Sequence, residues 1–328
     1  MSDPSTSGAP RKRSPYKQAQ RSGRLVRRAV MTAIKAARED SLGPPVPPFE
    51  FPPGQTTVLP GRGEFFYRDS GGEGPAVLLL HGWVVSADLN WLNVYQPLQD
   101  AGFRVIAIDH RGHGRGPRPN DPFRLTDCAA DAAALIEHLN VGPAIVAGYS
   151  MGGPISELLA RSRPELVAAL ILCATAPSWD DAHMKRTWKR MWAMALTLGL
   201  FPHAFWRWGA EFTGTPKGPE TSWTVAELAR GSARDLAEAG RELGRYDARS
   251  WLGELDMPVA VVVTTRDRSV PPRRQRELAE LTGAKVFEAE CDHLGAGAAP
   301  HKFEPAFSRA VQHIAQQVAI KSTNESVA

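Results

Sequence analysis

A mostly parallel α/β sheet with helices on both faces is the fold class that this sequence predicts, and three observations predict it. Short β-rich apolar runs recur along the chain, each followed by a stretch with helical spacing. One of those runs passes straight into a serine flanked by glycines and then into a helix. Between residues 178 and 255 the alternation stops, and a tryptophan-dense segment without a convincing strand takes its place. Repeated βα units imply a parallel sheet covered on both sides, with that segment as a helical insertion.

In order, residues 1–54 form a basic N-terminal tail. Residues 1–20 are Ser, Pro, Lys and Arg without periodicity, a composition expected to be disordered. In "RSGRLVRRAVMTAIKAAR", residues 21–38, Leu25, Val26, Val30 and Ile34 share one side of a helical wheel and the arginines the other. Such a helix can lie on an anionic membrane surface, dock a partner, or cover an apolar patch of its own domain. The alanine-rich face without aromatics predicts weak membrane affinity. "GPPVPPFEFPPG", residues 43–54, is a stiff, extended linker.

Residues 55–177 read as the first part of the core. Thr56–Leu59 and Glu64–Arg68 suit short edge strands, and Ala76–Leu80 and Arg104–Ile108 suit strands buried on both faces. A helix follows over residues 126–139, opened by Thr126 or Asp127. The run from Pro143 to Ala147 is the next strand, and Ile155, Leu158 and Leu159 start a helix that ends near Arg163. Another strand is expected at Ala169–Cys173. Residues 178–255 hold seven of the nine tryptophans. In "HMKRTWKRMWAMALTL", Met184, Trp188, Met191, Ala195 and Leu198 make one helical stripe. The expectation is a helical lid over the carboxyl edge of the sheet, where open α/β sheets bind ligands, although the stripe equally suits the lid's own packing. Residues 256–328 return to the core with strand Val259–Thr264, helix 273–281, strand Lys285–Ala289 and helix 303–320.

The chemistry centres on Gly148-Tyr149-Ser150-Met151-Gly152. A strand running into a helix through this motif puts the serine on a tight, strained turn, and residues lacking Cβ let the flanking elements approach it. A serine hydroxyl needs a base and a group that orients the base. His293, in the glycine-flanked "CDHLGAG", is the favoured base; His301 at the start of the last helix is its competitor. His81, at a strand end, suits bracing of its loop better than catalysis. Asp267, held before Val270 and two prolines, is the favoured orienting carboxylate. The Asp180/Asp181 pair is its rival, and Asp256 lies at the wrong edge. The glycine in His81-Gly82-Trp83 allows the amides of Trp83 and Met151 to form an oxyanion hole, a stabilisation of about 3–4 kcal/mol per donor. Trp188 and Trp192 in the insertion, with Tyr149 beside the serine, are the candidate substrate contacts.

With the order Ser150, Asp267, His293, the chain resembles the α/β-hydrolase superfamily, in its lidded serine-hydrolase, esterase- and lipase-like branch. The likeness runs from about residue 55 to 320 and includes HGW at 81–83, DHRGHG at 109–114 and GYSMGG at 148–153. It implies that Ser150 attacks a carbonyl, His293 shuttles the proton and Asp267 fixes the imidazole tautomer. Asp109 to Gly112 would be structural. Serine rather than aspartate at 150 separates the chain from the haloalkane dehalogenase and epoxide hydrolase branches. Where the family often has Gly-His, this chain has Asp292-His293. The implied activity is hydrolysis of apolar carboxylic esters. C–C hydrolases, thioesterases and cofactor-free perhydrolases use the same triad, and a non-catalytic binding protein is the alternative of another class.

Composition narrows the rest. An apolar fraction of 43% and a charged fraction of 23% are those of a soluble globular protein. Residues 1–40 carry ten Lys/Arg against three acids, a net +7, so the remaining chain holds −3 of the total of +4. Basic character belongs to the tail, and no nucleic-acid partner is expected. Cys128, Cys173 and Cys291 are too scattered for a disulfide framework or a zinc site, which suits a reducing compartment. The expected location is cytoplasmic, with peripheral membrane contact through residues 21–38 as an option. With no metal cluster or phosphate-cradling loop in the sequence, no cofactor is expected.

Overall fold

The computed structural model describes residues 44–180, 199–200, 202–212 and 215–327. The amphipathic segment 21–38 and the Trp188–Trp192 stripe therefore lie outside the described residues. Eight strands form one sheet: β1 (Gly54–Leu59), β2 (Gly63–Asp69), β3 (Ala76–Leu80), β4 (Arg104–Ile108), β5 (Ala144–Tyr149), β6 (Val167–Cys173), β7 (Val259–Thr264) and β8 (Lys285–Ala289). Their spatial order is β1-β2-β4-β3-β5-β6-β7-β8. β1 and β2 pair antiparallel, as do β2 and β4; all other pairs are parallel.

Among the described residues the α-helices are α1 (Ala87–Trp91), α2 (Tyr95–Asp100), α3 (Leu125–Leu139), α4 (Gly152–Ser162), α5 (Pro202–Phe212), α6 (Pro219–Leu228), α7 (Ala233–Leu243), α8 (Pro272–Thr282), α9 (Gly295–Ala298) and α10 (Pro300–Val327). Because strand side chains alternate between faces, β3 sends Leu78 and Leu80 into one core with α3, α4 and α8. It sends Val77 and Leu79 into the other, with α1, α2 and α10. Burial on both faces is why these strands read as unbroken apolar runs. β3 is bonded to β4 on one side and β5 on the other, so the connections after β3 and β5 diverge. That divergence opens a crevice at the carboxyl ends of the two strands.

Several boundaries differ from expectation. α3 begins at Leu125 after Arg124, whose side chain has no acceptor to cap it; Thr126 and Asp127 lie inside the first turn, with Asp127 3.6 Å from Arg111. α10 starts at Pro300, where proline's fixed φ suits a first helical residue, and continues through the polar "STNES". α1 and α2 were not foreseen. Ser178 bridges Asp247 antiparallel at the base of the insertion. Ahead of β1, the proline-rich segment is pinned to the body: Val46 N–H donates to Pro219 O at 3.3 Å, and Phe51 packs against Tyr95 and Trp223. The three cysteines are free and buried. Among the described residues, no helix is long and apolar enough to cross a membrane.

Candidate active site

Ser150 stands directly after β5, at the crevice, with φ of 52°. Left-handed backbone at a non-glycine residue is strained and needs surroundings that hold it. Those surroundings leave no space for side chains two residues away on either side. A Cβ at Gly148 would stand 2.2 Å from Gly152 O, and one at Gly152 would stand 2.1 Å from Leu80 O. The glycines thus let β3, β5 and α4 converge behind the hydroxyl.

Asp267 and His293 reach Ser150 from loops after β7 and β8. His293 Nε2 lies 2.9 Å from Ser150 Oγ, and His293 Nδ1 lies 2.7 Å from Asp267 Oδ2. Facing a carboxylate, Nδ1 carries the proton, which leaves Nε2 to accept from the serine hydroxyl. Asp267 is 4% exposed, so its orientation depends on hydrogen bonds. Its Oδ1 accepts the Ser269 and Val270 amides, each at 2.8 Å, and its Oδ2 accepts Thr264 Oγ1–H at 2.9 Å. Gln275 Nε2 donates in turn to Thr264 Oγ1 at 2.8 Å and to Val270 O at 2.7 Å. The His293 loop has its own supports: Asp292 Oδ1 accepts the Leu294 amide at 2.9 Å, and Tyr149 O–H donates to His293 O at 2.9 Å. Asp292 therefore gives its loop a local turn in this chain.

Tyr149, expected at the substrate, is 4% exposed, and its ring packs between Trp91 and Phe303. As the last strand residue it faces the core opposite α4, so it supports the histidine loop rather than lining a pocket. The rivals are engaged elsewhere. Buried His81 donates from Nδ1 to Gly82 O at 2.7 Å and accepts the His110 amide at Nε2 at 2.9 Å. Burial lowers its pKa to about 4, so it is a neutral brace. Asp180 bonds Ser178 and Arg249, Asp256 faces Lys321, and His301 is exposed on the first turn of α10. Asp181 lies outside the described residues.

The loop after β3 runs along Ser150. A Cβ at Gly82 would stand 3.3 Å from Ser150 Cβ, and Gly82 N–H is tied to Asn90 Oδ1 at 2.9 Å. Trp83 follows, its indole Nε1–H donating to Leu236 O of α7 at 2.9 Å. Met151 is fully buried at the start of α4. Asp109 caps the same region: its Oδ1 accepts the Ala87 amide at 2.7 Å and its Oδ2 the Arg115 amide at 2.8 Å. Sequence reasoning missed Thr264, Gln275 and Asn90. Only Thr264 carried a signal, a hydroxyl residue ending β7 three positions before the carboxylate.

Comparison with known proteins agrees with the fold. A family model described as alpha/beta hydrolase fold matches residues 75–297. A non-heme chloroperoxidase of Streptomyces lividans is 40% identical over 126 residues, which are 38% of this chain and 45% of that protein. 3-Oxoadipate enol-lactonase 2 of Acinetobacter baylyi is 32% identical over 182 residues, 54% of this chain and 66% of that one. The matches thus span less than two thirds of these relatives' own lengths. Among solved structures, an esterase from Exiguobacterium antarcticum superposes with a TM-score of 0.69 at 21% identity, over 79% of this chain and all 100% of that one. With a mostly parallel eight-stranded sheet, a serine on the turn after β5 and a family model covering most of the body, the chain belongs to the alpha/beta hydrolase fold family.

Proposed function

We propose that the chain is a serine hydrolase that cleaves carboxylic esters of apolar substrates through an acyl-enzyme. The observation that carries this reading is the continuous relay from Ser150 Oγ through His293 to Asp267, with contacts of 2.9 and 2.7 Å. Ser150 attacks the ester carbonyl as His293 Nε2 takes its proton, and Asp267 stabilises the imidazolium. The Trp83 and Met151 amides stabilise the oxyanion. His293 then protonates the leaving alkoxide, and a water molecule activated by the same nitrogen releases the acid. The tryptophan-dense insertion supports an apolar acyl or alcohol moiety. Named relatives that hydrolyse esters or lactones support the bond class.

Ser150→Ala should lower turnover of p-nitrophenyl butyrate roughly 10⁵- to 10⁶-fold. It should also abolish fluorophosphonate labelling and leave thermal unfolding unchanged. Retained turnover in that variant would remove the reading.

A second reading, perhydrolysis, is favoured by the chloroperoxidase likeness and by a relative named as a bifunctional esterase/perhydrolase. Here hydrogen peroxide replaces water in attack on the acyl-enzyme, giving a peracid and free Ser150. Peracid formation from acetate and peroxide that disappears in Ser150→Ala distinguishes it.

A further inference from the structure

The loop that carries Trp83 is strained. Val84, a β-branched residue, has φ of 77°, a conformation that persists only where the surroundings over-determine it. Two anchors flank it, and both come from helices inserted between β6 and β7. On one side the Trp83 indole donates to Leu236 O of α7 at 2.9 Å. On the other, Ser86 Oγ–H donates to Glu227 Oε2 of α6 at 3.1 Å while also capping α1. Ser86 and Glu227 are 141 positions apart in sequence, and both are almost wholly buried.

Glu227 is the junction of a charged clamp. Its Oε1 accepts Arg115 Nη2 at 2.6 Å and Arg230 Nε at 2.9 Å. Arg115 Nη1 continues to Asp88 Oδ2 at 3.2 Å in the first turn of α1, and Arg68 grips Asp88 bidentately at 2.6 and 2.7 Å. A buried carboxylate bonded only within its own helix would serve α6 alone. This one spends an oxygen on the residue that follows the strained loop.

We propose that Glu227 is a positioning residue: α6 and α7 hold the Val84 kink in place, and so fix where the Trp83 amide stands relative to Ser150. This rests on the reading of Trp83 as an oxyanion donor. Its consequence is that the inserted helices control kcat rather than substrate affinity. Losing one such donor costs about 10²- to 10³-fold in rate, and a displacement of about 1 Å costs about 10²-fold.

The test compares Glu227→Ala, Glu227→Gln and the control Glu242→Gln, whose exposed partner is Arg245. Two readouts are taken on the full chain: kinetics on p-nitrophenyl butyrate and hydrogen–deuterium exchange of peptides spanning 81–91. Glu227→Ala should lower kcat about 10- to 100-fold with KM within about twofold. Its 81–91 amides should exchange at least about tenfold faster, while β3 and β5 stay protected. Glu227→Gln should fall between, and the control should match the wild type. A raised KM with kcat retained, or unchanged exchange at 81–91 in Glu227→Ala, overturns the proposal. If Glu227→Ala does not fold, Trp83→Phe removes the other anchor and is read by the same exchange. A wild-type chain that turns over no ester removes the hydrolase reading, and the exchange measurement still decides whether Glu227 holds the loop.

Discussion

Glu157 lies on α4, seven residues after Ser150, with 0% exposure. Its Oε2 accepts Tyr246 O–H at 2.5 Å, and its Oε1 has no partner among the described residues. Desolvation raises its pKa from 4.5 to about 8, opposed only in part by the tyrosine hydrogen bond. The folded chain therefore keeps a proton on Glu157 where the unfolded chain has lost it. Stability from this group is fully present below pH 4.5, declines by about 1.4 kcal/mol per pH unit, and levels off above about pH 8. Integrated from pH 5 to 9, the loss is about 4 kcal/mol. Glu157→Gln keeps the shape and an acceptor for Tyr246 but does not titrate. Urea unfolding of both proteins at pH 5, 7 and 9 should show a difference that grows with pH in favour of the glutamine variant, by about 4 kcal/mol over the range. A difference that stays constant from pH 5 to 9 would refute the reasoning, because a group charged in both states contributes no slope.

Two further outcomes follow from the site. In Asp267→Asn the Ser269 and Val270 amides retain the side-chain carbonyl, so the NH₂ turns toward His293 Nδ1 and selects the wrong tautomer. kcat on p-nitrophenyl butyrate should fall about 10⁴-fold with little change in stability, and a loss below tenfold would contradict the assigned role. Tyr149→Phe deletes the hydroxyl bond to the His293 carbonyl. Urea unfolding should report a loss of about 1 kcal/mol, with a few-fold lower kcat; an unaltered unfolding curve would count against the hydroxyl as a loop support.

The parts of this molecule legible in its sequence are those governed by short-range rules. β3, β5 and β7 are contiguous β-rich runs because both faces are covered, and the turn at Ser150 announces itself through its glycines. Asp267 and His293 were legible as candidates because each lies just beyond a strand, at the carboxyl edge of the sheet. α1 and α2 are too short to display a helical period. Tyr149 faces the core because it is the last residue of β5 while Ser150 is itself the strained turn residue, and adjacency in sequence says nothing about which face a last strand residue occupies. Gln275 beneath Thr264, and Glu227 beneath Ser86, are contacts between distant segments, and no local pattern encodes them.

The buried thiols have a practical corollary for chemical labelling. Burial pushes Cys128 and Cys173 well above the ordinary thiol range and Cys291 to about 11, so near neutral pH none offers much thiolate to an alkylating dye. Maleimide uptake by the native protein becomes a clock for transient opening. Cys291 sits two residues ahead of His293, so its modification rate times the excursions of the segment that delivers the imidazole, without a single engineered probe.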